Sequence, residues 1–271
     1  MNFKRTNTKI SLLEDYYTHF DEDHRLKTRH GNVEFLVSMK YILDVLNCDL
    51  NKKVLDLGAG TGAYSIPLLE KGYNVTSVEL VKHNIDVFKQ KCPNANVILG
   101  NALDLSFLPS SSFDVCLMFG PMYHLLKRDE KIKALSEAKR VLKNNGILIT
   151  SYYMNEYAIV TYGFIKNNIR EALNNKQIDE SFHMQNIDGD LYSMVRLEDI
   201  NSFNEELNFR RIKIIASDGA SNYIRPYLNK LSEEDYELFI KYQLSICERS
   251  DLLGASSHLV DIVKVKKDEN N

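Results

Sequence analysis

Residues 52–62 read KKVLDLGAGTG, in which Val54, Leu55 and Leu57 make a short apolar run that stops on glycines. That is the pattern of a buried strand entering a tight turn. Residues 63–71 then look helical, and the same unit recurs downstream: YNVTSVEL (73–80) as strand, VKHNIDVFKQK (81–91) as helix, and ANVILG (95–100) and FDVCLMFG (113–120) as further strands. DEKIKALSEAKRVLKNNG (129–146) places Ile132, Leu135, Ala138, Val141 and Leu142 on one helical face and stops at Asn-Asn-Gly, a helix terminator. GILITSYYM (146–154) follows as a fifth strand. Upstream, NVEFLVSMKYILDVL (32–46) spaces Phe35, Leu36, Met39, Ile42, Leu43 and Leu46 as a helix with one buried face. Strands alternating with helices in this way predict an α/β fold, a doubly wound and mostly parallel sheet covered on both faces, because parallel crossovers need a helix to return the chain.

Beyond Met154 the rhythm changes. Residues 155–194 are rich in Asn, Tyr and charge, with a helical stretch near 157–174, and read as a small inserted helical cap. RLEDINSFNEELNF (196–209) reads as helix, and RRIKIIASDG (210–219) and SSHLVDIVKVKK (256–267) as strands that return to the sheet. Between those strands, SEEDYELFIKYQLSICER (232–249) has a helical pattern. The predicted division is therefore a leading segment over 1–31, a core over 32–154, the cap, the returning sheet with its helical insertion over 195–266, and a disordered tail over 267–271.

The 271 residues carry a formal net charge of −3, with 44% hydrophobic and 26% charged residues. No apolar run approaches the roughly 18 residues of a membrane span, and the N-terminus lacks the apolar core of a signal peptide. Cys48, Cys92, Cys116 and Cys247 are widely spaced and form no ligand cluster, which predicts neither a metal site nor disulfides and favours the reducing cytoplasm. The mildly acidic balance favours a small substrate over nucleic acid or a membrane surface.

Glycines between strand and helix let a ligand approach the backbone closely. Gly58, Gly60 and Ala63 also satisfy the relaxed dinucleotide pattern, so NAD has to be weighed. Asp56 sits within the strand, a costly place for a carboxylate without a partner, and a ligand ammonium would supply one. Glu79 ends the second strand, where an acceptor pair can bridge both hydroxyls of a ribose, a feature that serves NAD and S-adenosylmethionine alike.

Through VLDLGAGTG (54–62), Glu79, GNALDL (100–105), FDVCLMFGPMYHLL (113–126) and AKRVLKNNGILIT (138–150), the chain resembles the class I S-adenosylmethionine-dependent methyltransferases. The resemblance spans roughly 33–154 and implies a Rossmann-like sheet. It also implies that Asp56, Gly58, Ala59, Gly60 and Gly62 lie under the amino-acid part of S-adenosylmethionine and that Glu79 holds the ribose, with Leu80 beside it. After the third strand the family commonly has an acidic residue on the adenine amino group; here Asn101 stands there, able to accept the same hydrogen bond without charge. Ala102 and Leu103 would meet the ring, and Phe119 and Gly120 complete the implied cofactor contacts.

Methyl transfer from a sulfonium is an in-line displacement that needs alignment and exclusion of water, with a general base where the nucleophile is weak. His124, just past the fourth strand, is the candidate base, with Tyr123 beside it at the reacting centre. Tyr123 and Phe119 could face the cationic sulfonium, and Tyr152 and Tyr153 could line an acceptor pocket. In related methyltransferases a segment such as YYTHFDEDHRLKTRHG (16–31) folds over the cofactor, which makes Tyr16, Tyr17 and Arg25 further candidate contacts. The expected activity is methyl transfer to a small molecule. The rivals are an RNA methyltransferase, an NAD-dependent oxidoreductase and a non-catalytic cofactor-binding regulator. Phe119-Gly120-Pro121-Met122-Tyr123 departs from the Asn/Asp-Pro-Pro-Tyr element of amino-group base methylases, and Cys92-Pro93 reverses the Pro-Cys order of cytosine methylases. The acceptor and the oligomeric state stay open.

Overall fold

The computed structural model describes residues 3–19, 22–185 and 189–267. Seven strands form one sheet: β1 (Lys53–Leu57), β2 (Asn74–Glu79), β3 (Asn96–Leu99), β4 (Phe113–Met118), β5 (Leu142–Tyr153), β6 (Phe209–Ala216) and β7 (His258–Val265), in the spatial order β3-β2-β1-β4-β5-β7-β6. The first five strands pair in parallel, and β7 runs antiparallel between β5 and β6. The expected doubly wound, mostly parallel sheet is thus observed.

Three helices precede the sheet, α1 (Phe3–His19), α2 (Glu22–Lys27) and α3 (Arg29–Leu46). Within it lie α4 (Ser65–Glu70), α5 (Lys82–Lys91), α6 (Pro121–His124) and α7 (Arg128–Val141). After β5 come α8 (Asn155–Ala158), a π-helix (Ile159–Ile165), α9 (Ile169–Asn174) and α10 (Leu197–Glu206). Between β6 and β7 lie α11 (Arg225–Leu228), α12 (Glu233–Ile246) and a 3₁₀ turn (Ser250–Ala255). Successive strand residues serve opposite cores, as side-chain alternation requires. Leu55, Cys116 and Leu148 join one cluster with Leu135 and Ala138 of α7 and Phe203 of α10. Val54, Val115 and Ile149 join another with Val37 and Ile42 of α3 and Tyr236 of α12. Central parallel strands buried on both faces read as near-continuous apolar runs, which is why their signal in the sequence is strong.

Several local readings are corrected. α7 stops at Val141, ahead of the Asn-Asn-Gly terminator, because Leu142 already pairs with Phe113. The ladder between β4 and β5 is then irregular before Val115 meets Ile147, and Asn145 takes a left-handed φ of 64° in that bulge. The buried side of α3 is led by Val33, Val37, Tyr41 and Ile42, while Leu36 is exposed. The helical stretch predicted near 157–174 is broken at Asn167, whose φ is 59°. Lys267, assigned to the tail, is anchored: its ammonium donates to the Ser111 hydroxyl and the Arg140 carbonyl. The rest of that predicted tail lies outside the described residues, as do Phe20 and Asp21 of the leading segment.

Candidate active site

Strand order reverses between β1 and β4, and open α/β sheets place ligands in the crevice beyond the strand ends at such a point. A cavity of about 1720 Å³ opens there. Single drug-sized ligands fill roughly 300–1,000 Å³, so the space suits two bound molecules side by side. Of the residues singled out from sequence, Asp56, Gly58, Ala59, Gly60, Glu79, Leu80, Asn101, Ala102, Leu103, Phe119, Gly120, Tyr123, His124 and Arg25 line it, whereas Gly62 and Tyr16 do not.

The glycine turn has a division of labour. Gly58 has φ 78°, and a Cβ there would sit 2.5 Å from Pro121 Cδ, so glycine lets β1 and the start of α6 close on each other. Gly60 has φ 55° with open space where its Cβ would be, and its N–H donates to Glu79 at 2.8 Å. Gly62, at φ 92°, packs on the Phe88 ring, 2.7 Å from where a Cβ would stand. It packs against α5 and does not line the cavity.

Glu79 is buried and held from several sides. Its Oε2 accepts from Gly60 N–H and its Oε1 from Val81 N–H at 2.9 Å and the Asn84 amide at 3.3 Å. Burial raises its pKa above the ordinary carboxylate value, opposed by these donors. Asp56, for which the sequence suggested a ligand ammonium, has a partner within the protein: Ser65 Oγ donates to it at 2.6 Å and itself lies 2.8 Å from Ser77 Oγ. Burial pushes the Asp56 pKa up to about 7, Ser65 opposing and the nearby Glu79 charge adding. Asn101 Oδ1 accepts from Leu103 N–H at 2.9 Å, which fixes the turn after β3.

On the other side of the cavity, the short helix α6 carries the predicted reacting pair. Tyr123 donates to Ser151 Oγ at 2.5 Å, and burial holds its hydroxyl well above the ordinary phenol value. His124 Nδ1 lies 2.9 Å from the Leu191 carbonyl oxygen, which can only accept, so the proton belongs on Nδ1. Its Nε2 then accepts from the Tyr17 hydroxyl at 2.8 Å. The ring therefore ties α6 to α1 and to the segment before α10, and Tyr17 would have to move for Nε2 to take a substrate proton. Tyr16 accepts a hydrogen bond from Tyr192 at 2.8 Å, and Arg25 meets the Glu34 carboxylate at 2.9 Å. Tyr153 lines the cavity, while Tyr152 packs inward near Phe203.

The sequence reading missed a polar group at the same rim. Because β7 is antiparallel, its first residue, His258, pairs with Tyr153, the last residue of β5, and so stands where the parallel strands end. β6 runs parallel to β5, and Asp218 follows its end. Asp218 is fully buried and accepts from His258 Nδ1 at 2.7 Å, His258 N–H at 2.9 Å, Ser256 Oγ at 2.6 Å and Ser257 Oγ. Glu34 Oε2 lies 3.5 Å from the same Nδ1. Burial raises the Asp218 pKa, but the His258 charge and these bonds outweigh it and bring it down to about 2. Burial lowers the His258 pKa, yet the charges of Glu34 and Asp218 leave it above the ordinary 6.5. The signal available in sequence was Ser-Ser-His opening one returning strand and Ser-Asp-Gly closing the other.

Residues 55–150 match the family model for a methyltransferase domain. The chain is 31% identical over 124 residues to a demethylmenaquinone methyltransferase of Renibacterium salmoninarum, covering 46% of this chain and 49% of that protein. It is 35% identical over 106 residues to a glycine/sarcosine N-methyltransferase of Parasynechococcus marenigrum, covering 37% and 38%. The chain thus spans half the length, or less, of these relatives. Among solved structures it is similar to a Thermotoga maritima protein described as a possible histamine N-methyltransferase, with TM-score 0.57, 20% identity and coverage of 93% and 98%. A methyltransferase of Methanosarcina mazei gives TM-score 0.55, 16% identity and coverage of 81% and 94%. At those identities the likeness shows a common fold.

Proposed function

We propose that the chain, whose residues 55–150 match the methyltransferase-domain family model, is a class I S-adenosylmethionine-dependent methyltransferase that transfers the methyl group of S-adenosylmethionine to a small-molecule acceptor, leaving S-adenosylhomocysteine. The observation that carries this reading is one cavity with two differently built sides, at the rim where the parallel strands end. The β1–β2 side fits the cofactor: open backbone at Gly60 that a side chain would fill, with Gly58 beside it on the cavity wall, and a buried carboxylate, Glu79, able to take ribose hydroxyls. Asn101, Ala102 and Leu103 would hold the adenine, and Phe119 and Gly120 would adjoin the reacting end. When bound, S-adenosylmethionine supplies an electrophilic methyl on a sulfonium; the protein's task is to align the acceptor and exclude water.

The acceptor side is walled by Tyr123, Tyr153, Tyr157 and Tyr192, and His124 is fixed by Leu191 at its border. Leu13 and Tyr17 of α1 line the same space, which supports residues 1–31 as a cover over the cofactor. Residues 155–194 supply Tyr157 and Tyr192, which supports that segment as the part that sets acceptor choice. An acceptor enclosed among tyrosines fits a small molecule better than a polynucleotide, which would need a basic groove. Among the described residues no helix is long and apolar enough to cross a membrane. The four cysteines are thiols, in keeping with the cytoplasm as the working compartment.

The test is calorimetric binding of S-adenosylmethionine and S-adenosylhomocysteine, with NAD as control. Both adenosyl ligands are expected to bind, with affinity lost in Glu79→Ala. Binding of NAD alone would overturn the reading.

A further inference from the structure

Resting on that reading, we infer that His258, oriented by Asp218, is the general base of the transfer, and that the acceptor is a protic nucleophile, a hydroxyl or an amine. The argument is geometric. Asp218 fixes Nδ1 as the protonated nitrogen, since a carboxylate that already receives Ser256 Oγ, Ser257 Oγ and the His258 N–H serves as acceptor for the ring as well. The Asn222 amide donates to the same carboxylate at 2.8 Å and to Ser257 Oγ at 2.7 Å, so the orienting group is itself immobilised. That leaves Nε2, with its lone pair, as the nitrogen available to the cavity that His258 lines. No hydrogen bond of Nε2 occurs among the described residues, in contrast to His124, whose two nitrogens are both engaged. The ring is stacked on Tyr153 at 5.1 Å and lies 5.6 Å from Tyr123, between centroids, so it stands within the tyrosine-walled side assigned to the acceptor.

Nucleophile, base and orienter in sequence is the arrangement that removes a proton as a bond forms. The acceptor's lone pair forms the new bond to the methyl carbon while the sulfur–carbon bond breaks and its electron pair goes to sulfur. The proton lost by the acceptor goes to His258 Nε2, giving an imidazolium. Asp218 and Glu34 face that cation, and Arg25, bonded to Glu34, moderates their combined charge. An acceptor without an acidic proton, such as a thioether, would have no use for the dyad. Glu34, Asp218 and His258 also bring donor atoms of metal-ligand type within 4.8 Å of one another. The Arg25 guanidinium compensates Glu34, and the His258 ring compensates Asp218 when it is protonated.

The groups facing His258 are Asp218 beyond β6, Glu34 of α3, Arg25 of α2, Tyr123 of α6 and Tyr153 of β5. The two carboxylates place its ionisation above the ordinary 6.5, so base catalysis switches on as pH rises through that higher value. The test has three arms on wild type, His258→Gln and Asp218→Asn. Imidazole ¹⁵N NMR, with His258→Gln giving the assignment, should show an Nδ1–H tautomer for neutral His258 and an ionisation that Asp218→Asn moves to lower pH. Calorimetry should show S-adenosylmethionine bound alike by all three. Labelled-methyl transfer to phenol, catechol, benzylamine and ethanolamine between pH 6 and 9 should give turnover on at least one. His258→Gln should then lower kcat at least ~100-fold, and Asp218→Asn should move the rising limb to lower pH. An Nε2–H tautomer overturns the proposal, as does wild-type kcat in His258→Gln, or binding of S-adenosylmethionine with transfer to none of the four. Failure of the wild type to bind S-adenosylmethionine refutes the cofactor reading instead, and the base with it. Asp218→Asn keeps the question decidable should His258→Gln fold poorly.

Discussion

Adding one methyl group at Gly62 or at Gly60 should have opposite consequences, although the two glycines are two residues apart in the same turn. Both have positive φ, 92° and 55°, and an L-residue held in the left-handed region costs about 1–2 kcal/mol. At Gly60 that is the whole stability cost, because nothing lies within 4 Å of the new Cβ. At Gly62 the new Cβ would lie 2.7–2.9 Å from three carbons of the Phe88 ring. Phe88 is fully buried, so the ring cannot swing into solvent, and overpacking of this kind adds about 1–3 kcal/mol. Gly62→Ala should therefore lose about 2–5 kcal/mol and Gly60→Ala about 1–2 kcal/mol. With a urea slope near 3 kcal/mol/M, the midpoints should fall by about 1 M and about 0.5 M. Cofactor affinity should show the reverse order, since Gly60 lines the cavity and Gly62 does not. The assay is urea unfolding followed by far-UV circular dichroism, with calorimetric titration of S-adenosylhomocysteine on each variant. Gly62→Ala as stable as Gly60→Ala, or a larger loss of affinity at Gly62 than at Gly60, would refute the division of roles.

Glu79→Gln should weaken S-adenosylmethionine binding about 10- to 100-fold, the worth of a hydrogen bond to a charged group, and should also cost stability, because an amide NH₂ would face Gly60 N–H or Val81 N–H; unchanged calorimetric affinity would count against Glu79 as the ribose ligand. Asp56 has a folded pKa of about 7 against an ordinary 3.8, so its favourable contribution is complete below 3.8 and is lost as pH rises through 7. Asp56→Asn should accordingly match wild type near pH 4 and become the more stable protein by pH 8, which urea unfolding at the two pH values would read directly. Leu13 is 5% exposed and lines the cavity, so Leu13→Asp should reduce cofactor affinity at least ~10-fold with an unaltered circular dichroism spectrum if α1 covers the cofactor.

The central strands were legible because their residues serve two cores at once, which leaves no polar alternation to confuse a strand with a surface segment. Val54, Leu55, Val115, Cys116, Leu148 and Ile149 are all of this kind. The glycine turn and Glu79 were legible because a tight turn and a buried acid at a strand end are local features. Less could be read where the deciding partner is distant in sequence. The end of α7 depends on Leu142 pairing with Phe113. The packing face of α3 depends on α12 as well as the sheet, so Val33 and Val37 outrank Leu36. His258, Asp218 and Glu34 are far apart along the chain, and nothing local to any of them shows that the start of β7, the end of β6 and α3 meet at one rim. Tyr17 and His124, 107 positions apart, illustrate the same limit.

The placement of β7 between β5 and β6 also constrains how the molecule is made. A ribosome emits β5 and β6 well before residues 258–265, so until that last strand emerges β5 has an unpaired inner edge and β6 has no neighbour at all. Such edges are templates for wrong partners, and pairing across more than a hundred residues is intrinsically slow. The waiting intermediate should therefore be the species that chaperones hold and that aggregates when they are scarce. Since the same strand brings His258 to the rim, completion of the sheet and completion of the proposed base are a single event in biogenesis, and partly made chains would hold a cofactor cradle without the means to accept a proton.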